Sequence, residues 1–148
     1  KEAGIHTCLD TAGCGMGNYE AILKNTDLIL YDVKEITSEK YQSMTGQSWD
    51  ETNRFLEAVQ KSGTPVWVRH VVVPGLTDSP EHLKALRQFI LEQVPNVKQV
   101  ELLPYHLLGV SKYETMGIPY SLKGVPAMDP NVVEEDQKKY FQNFSGGI

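Results

Sequence analysis

Four apolar runs punctuate the 148-residue chain: Ile5–Asp10, Leu28–Val33, Val66–Val73 and Val97–Leu103. The last three are almost unbroken stretches rich in Val, Leu and Ile. That pattern fits parallel strands covered on both faces better than a half-exposed antiparallel sheet. Between the runs, apolar residues recur at helical spacing. "GNYEAILKN" predicts a short helix. In "SWDETNRFLEAVQKSG", Ser48 and Glu51 have capping-box spacing, Thr52, Phe55, Leu56 and Val59 form one face, and Gly63 stops the helix. "SPEHLKALRQFILEQVP" starts with Ser79 as N-cap and Pro80 at the first helical position, and presents Leu83, Leu86, Ile90 and Val94. A last helix opens at Asp129–Pro130 and turns Val133, Tyr140, Phe141 and Phe144 toward a core, with Gly146–Gly147 releasing the chain.

Strands alternating with helices predict a parallel α/β architecture of about four βα units. No internal repeat, low-complexity tract or linker interrupts the chain, so residues 1–148 read as one domain. The stretch from Gly109 to Met128 reads as a long loop, a length that often covers a site. Lys1–Ala3 read as the end of a helix with Gly4 as its C-cap, so a preceding segment is expected.

Composition narrows the class. The 41% hydrophobic and 22% charged content is that of a soluble globular domain. A net charge of −5 gives no basic footprint for nucleic acid. No apolar run is long enough to span a bilayer. Two cysteines, Cys8 and Cys14, make neither a secreted disulfide framework nor a four-ligand metal site. A reducing cytoplasm is the expected compartment. Cys8 reads as a small buried hydrophobe and Cys14 as part of a Gly-rich turn.

In parallel α/β folds, sites form at the carboxyl ends of the strands. Every predicted strand brings polar groups to that rim: Asp10 and Thr11, then Asp32 and Lys34, then Arg69 and His70, then Tyr105 and His106. Asp32 and Lys34 are two apart and point to the same side of their strand. Lys34 suits a carboxylate or phosphate; Asp32 suits an amine, a hydroxyl or a cation. Together they fit a ligand of mixed charge. Each group also has a purely structural reading. Asp32 and Lys34 can be an ion pair closing a strand, and Asp10–Thr11 the N-cap of a turn. Arg69 can meet structural carboxylates, and His70 and His106 can be satisfied core or surface groups.

The stretches "GIHTCLDTAG", "LILYDVKEIT", "TGQSWDETNRFLEAV", "PVWVRHVVVPGLTD" and "VELLPYHLLGVSKYETMGIPY" together resemble the pyruvate formate-lyase activating enzymes. These are radical S-adenosylmethionine enzymes that activate glycyl-radical enzymes. The resemblance covers nearly the whole chain, in order and spacing. It implies an open (β/α)6 TIM-like barrel, of which this chain holds the C-terminal part without the first two βα units. The family's C-x-x-x-C-x-x-C segment for a [4Fe–4S] cluster is not in this sequence, and Cys8 and Cys14 do not match it.

By position, the resemblance implies that Asp32, Lys34, Arg69 and His106 bind S-adenosylmethionine, with Lys34 on its carboxylate. Asp10, Thr11 and Asp32 resemble a monovalent-cation site. Leu30 replaces a Met there, a change a backbone ligand tolerates and a thioether ligand does not. The implied activity is reductive cleavage of S-adenosylmethionine to a 5′-deoxyadenosyl radical, which takes hydrogen from a glycine of pyruvate formate-lyase or a related enzyme in anaerobic metabolism. A flavodoxin- or ferredoxin-type donor is the implied electron source. The chain by itself is expected to be inactive. Two other readings stay open: a phosphate-substrate (β/α) barrel lyase using Asp32 and Lys34, and a non-catalytic partner-binding domain.

Overall fold

The structure, a computed structural model, describes residues 1–15 and 17–144. Strands β1 (Cys8–Thr11), β2 (Leu28–Asp32), β3 (Val66–Val72) and β4 (Val97–Pro104) form one sheet in the order β1-β2-β3-β4. All three pairings are parallel, as the alternating pattern predicts. Helices α1 (Tyr19–Leu23), α2 (Ser38–Thr45), α3 (Trp49–Ser62), α4 (Pro80–Gln93), α5 (Val110–Met116) and α6 (Pro130–Phe141) fill the connections and the C-terminal part, and a 3-10 turn follows at Gln142–Phe144. Among the described residues no helix is long and apolar enough to cross a membrane.

The sheet's two faces differ. Ile29 and Tyr31 on β2, Val66, Val68 and Val72 on β3, and Val100 and Leu102 on β4 are buried in one cluster. Phe55, Leu56 and Val59 of α3, Leu83, Leu86 and Ile90 of α4, and Val133, Tyr140 and Phe141 of α6 complete it. Parallel register keeps equivalent residues on one side, so Asp10, Leu30, Trp67 and Gln99 form one row across the other face, and Asp32, Arg69 and Glu101 the next. Residues of β3 alternate strictly between buried and half-buried. The expectation of strands covered on both faces is therefore corrected. The second face is half-buried, and its apolar residues such as Leu30, Trp67 and Val71 share it with charges.

Local chemistry explains the helix boundaries. Ser79 Oγ accepts from the His82 amide at 3.1 Å, with Pro80 pre-set for the first turn. Asp129 caps α6 through the Asn131 amide. Ser48 caps α3 through Asp50 rather than Glu51. Glu51 turns instead to Tyr19 and Arg54, so the predicted capping box does not form. The first strand starts at Cys8 rather than Ile5, because β2 offers its first ladder partner, Leu28, only there. Lys1–Gly4 form a turn, with Gly4 at φ +70° and its amide bonded to the Lys1 carbonyl. Helix α5 lies inside the stretch expected to be a loop. It buries none of its residues, and α2 buries only Tyr41. Gly146–Gly147 fall outside the described residues.

A pair of histidines sits deep in the core. His70, on the helix-covered face of β3, is buried, and its Nε2 lies 3.2 Å from Nε2 of His82 on α4. Burial pushes the His70 ring down to about 4, with His82 and Lys34 adding to the effect and Asp32 and the Val33 carbonyl opposing it. His82 is lowered too, chiefly by burial and also by Lys40, against Glu35 and Asp78.

Two predictions follow from this packing. Phe141→Ala, at a fully buried site, is expected to cost about 3–5 kcal/mol in chemical denaturation, whereas Leu108→Ala, at a residue 82% exposed, stays within about 0.5 kcal/mol. An unfolded histidine titrates near 6.5, so between that value and about 4 the unfolded chain binds protons that folded His70 refuses. This stability is complete above pH 6.5 and is lost as pH falls toward 4. Urea midpoints measured at pH 7 and pH 5 should show the decrease, and His70→Leu should reduce it.

Candidate functional site

Parallel strands send all their carboxyl ends to one edge, and an ion-pair chain crosses three of them there. Lys34 Nζ donates to Asp32 Oδ2 at 2.9 Å. Asp32 Oδ1 accepts from Arg69 Nε at 2.8 Å. Arg69 Nη2 donates to Asp10 Oδ1 at 2.6 Å. The β2–β3 register sets Asp32 directly beside Arg69, and the β1–β2 register sets Asp10 beside Leu30, one pleat back on the same face. The chain holds two acids and two bases. Its middle is sheltered, with Arg69 20% and Asp32 24% exposed, while Asp10 is 61% exposed. Burial alone would lower the Arg69 guanidinium, but Asp32 and Asp10 outweigh it and raise it. Arg69 is a cation throughout the physiological range.

A small cavity of about 80 Å³ opens beside this chain, lined by Asp32, Lys34, Arg69, Met44, Val71 and Thr77 among others. Thr77 is buried, donating to the Val71 carbonyl at 3.0 Å and accepting from the Val73 amide at 2.8 Å. It folds the turn after β3 back onto the strand end. A larger cleft of about 910 Å³ lies at the opposite edge, where Asp27 precedes β2 and Thr64–Pro65 precede β3. None of the rim residues lines it.

The structure gathers Asp10, Asp32, Lys34 and Arg69 and leaves four of the polar groups expected at the rim apart: Thr11, Tyr105, His106, and His70, which faces the core instead. Thr11 Oγ1 accepts from the Gly13 amide at 3.0 Å, closing the turn after β1. That turn presses on the core: a Cβ on Gly13 would meet the Phe55 ring at 2.9 Å and the Tyr31 ring at 3.0 Å, with φ already at +74°. His106 is exposed, and its Nδ1 accepts from the Leu108 amide at 3.4 Å. It follows Tyr105, whose hydroxyl meets Tyr120 at 2.7 Å and whose amide continues the ladder to Val72. His106 thus stands just past β4 on the same edge, without touching the charged chain. Both cysteines are free and exposed, which corrects the reading of Cys8 as buried.

Sequence reasoning missed Met44, because α2 has no apolar stripe to announce it, and Thr77, whose burial depends on the turn around Pro74–Gly75. The approach of His70 to His82 gave no signal either. The earlier run "VVVPGLTD" could have pointed to Thr77, since an uncharged hydroxyl two residues past a Pro-Gly turn often closes it.

The donor set fits a small ligand bearing both charge signs. It does not fit an iron–sulfur cluster, which needs more thiolates than two cysteines supply. Among the described residues no three His, Cys, Asp or Glu side chains are placed to hold a metal ion.

No protein-family model matches the chain. It is 49% identical over 139 residues to the pyruvate formate-lyase-activating enzyme of Clostridium pasteurianum, covering 94% of this chain and 56% of that protein. It is 41% identical to the enzyme of the same name from Staphylococcus aureus, covering 100% of this chain and 61% of that one. The chain therefore spans somewhat over half the length of these relatives. In fold, it is similar to a domain of pyruvate-formate lyase-activating enzyme from Bacteroides vulgatus, with a TM-score of 0.68 at 16% identity, over 97% of this chain and 79% of that one. A radical SAM methyltransferase from Sphaerobacter thermophilus matches with a TM-score of 0.57 at 10% identity, over 94% of this chain and 38% of that one. Along nearly its whole length, then, this chain is similar in sequence to the pyruvate formate-lyase-activating enzymes, and its parallel α/β sheet is similar in fold to these two solved structures.

Proposed function

We propose that the chain is the cofactor-binding C-terminal part of a pyruvate formate-lyase-activating enzyme, and that its charged rim holds the methionine end of S-adenosylmethionine. The observation that carries this reading is the ion-pair chain Asp10–Arg69–Asp32–Lys34 at the strand ends. A methionine moiety brings a carboxylate, an ammonium and a sulfonium. Lys34 uses one of its three protons on Asp32, and Arg69 uses two of five N–H groups on the acids, so both keep donors for a carboxylate. The acids receive the ammonium. The ligand can thus join the chain without leaving any charge unpaired, which is the condition for burying charge at low cost.

Lys34 and Arg69 orient the cofactor's carboxylate, and Asp32 holds both bases in place while sharing the ammonium. His106, exposed at the end of β4 and outside the small cavity, would meet the bound cofactor from that side. A monovalent cation at Asp10, Thr11 and Asp32 would share both carboxylates with Arg69, so its binding and the cofactor's are coupled. Held by Asp32, Lys34 and Arg69, S-adenosylmethionine would supply radical chemistry in the whole protein: one electron from a reduced cluster would break its C5′–S bond, releasing methionine and giving a 5′-deoxyadenosyl radical for hydrogen abstraction from a glycine of pyruvate formate-lyase. The [4Fe–4S] cluster, the contact with a flavodoxin- or ferredoxin-type donor and the cytoplasmic setting belong to the whole protein. The chain alone, with no cluster ligands, does not perform the reaction.

In the full-length protein, Lys34→Ala is expected to weaken S-adenosylmethionine binding by about tenfold or more, the loss of a charge-assisted hydrogen bond. Asp32→Asn should change both cofactor affinity and its dependence on monovalent cations. Equilibrium binding at varied sodium and potassium measures both effects. Unchanged affinity in the two variants rejects this assignment.

A further inference from the structure

Asp32 and Lys34 are separated by Val33, and Val33 is held from both sides by β3. Its amide donates to the Arg69 carbonyl at 2.9 Å. Its carbonyl meets Nδ1 of His70 at 2.8 Å. The regular β2–β3 ladder ends one residue earlier, at Asp32 with Arg69. A buried carbonyl needs a donor, and a side chain takes over where the backbone ladder stops.

The hydrogen-bond partners assign the protons that face one another here. A carbonyl only accepts, so His70 carries its proton on Nδ1. The neutral His70 ring then presents a lone pair at Nε2. The facing His82 Nε2, 3.2 Å away, must be the donor. The bonds run one way, from His82 on α4 to His70 on β3 to the Val33 carbonyl just past β2, and successive bonds of this kind strengthen one another. Glu35, buried with its carboxylate on the Ile36 amide, prolongs the same strand end and faces His82 electrostatically.

We propose that His70 is a positioning residue for the cofactor site: bonded through Nδ1 to the Val33 carbonyl and locked in that tautomer by His82, it sets the peptide from which Asp32 and Lys34 project. This rests on the reading of that rim as the S-adenosylmethionine site. His70 lies on the helix-covered face, while Asp32 and Lys34 lie on the other, so it acts through the backbone and never meets the ligand.

The test uses the full-length protein and three readouts. Ring nitrogen NMR should show His70 protonated at Nδ1 and His82 at Nε2; the opposite tautomers overturn the proposal. Amide hydrogen exchange at Val33 should speed up in His70→Leu. S-adenosylmethionine affinity should fall about tenfold in His70→Leu and return to within about twofold of wild type in His70→Asn, whose side-chain N–H can occupy the Nδ1 position. Equal losses in both variants would mean that the ring only fills space, and would overturn the proposal. Lys34→Ala runs beside them. If it weakens binding while His70→Leu does not, this inference fails and the site reading stands; if neither weakens binding, both fail. Should His70→Leu not fold, His82→Leu decides: reduced affinity with a mixed His70 tautomer supports the relay, and wild-type affinity with the Nδ1–H form overturns it.

Discussion

The Arg69 guanidinium is the contact on which the rim depends. It projects from the third strand of a parallel sheet and bonds to carboxylates from the first and second. A cation so sheltered would be costly alone, and each acid would repel the other without it. Paired, they cross-link three strand ends whose backbone ladders stop within a residue or two of one another. Lys34 then attaches to the free side of Asp32. The result is a set of charged groups already held in place before a ligand arrives, so little ordering remains to be done on binding.

The same sheet divides labour between its faces. The helix-covered face holds the apolar cluster together with a few buried polar groups, the His70–His82 pair among them. The other face holds the charges. Because parallel strands in register keep equivalent residues on one side, neighbouring residues in β3 do opposite things: Arg69 meets the acids and His70 supports the backbone behind them. The peptide at Val33 is where the two faces communicate.

Much of this was legible in the sequence, and the reason is geometric. Parallel strands all end at one edge, so polar residues that interrupt apolar runs at their ends must converge. Asp10, Asp32, Lys34 and Arg69 could be named that way, and the structure brings these four together. The Asp32–Lys34 ion pair was legible too, from its two-residue spacing, but the reach of Arg69 to Asp10 across 59 residues was not, since it depends on a register that no local pattern encodes. Helices α2 and α5 escaped because a helix that buries one side chain or none leaves no apolar stripe. The near-continuous apolar strands suggested two covered faces, but Leu30, Trp67 and Val71 belong to the half-buried side that also bears the charges. Cys8 misled for a related reason: it sits on β1, which among the described residues pairs with β2 alone.

The strict alternation along β3 gives the site an arithmetic of odd and even. Val66, Val68, His70 and Val72 belong to the interior, and Trp67, Arg69 and Val71 to the opposite side. Connections such as the stretch between β2 and α3 can change length without disturbing that order, because the ladders fix the register independently of the loops. A single residue added or removed within β3 cannot. It would exchange the two sets beyond the change, driving a guanidinium into the apolar interior and turning an imidazole toward the charged face. The strand is therefore a place where the chain can vary in kind but not in count.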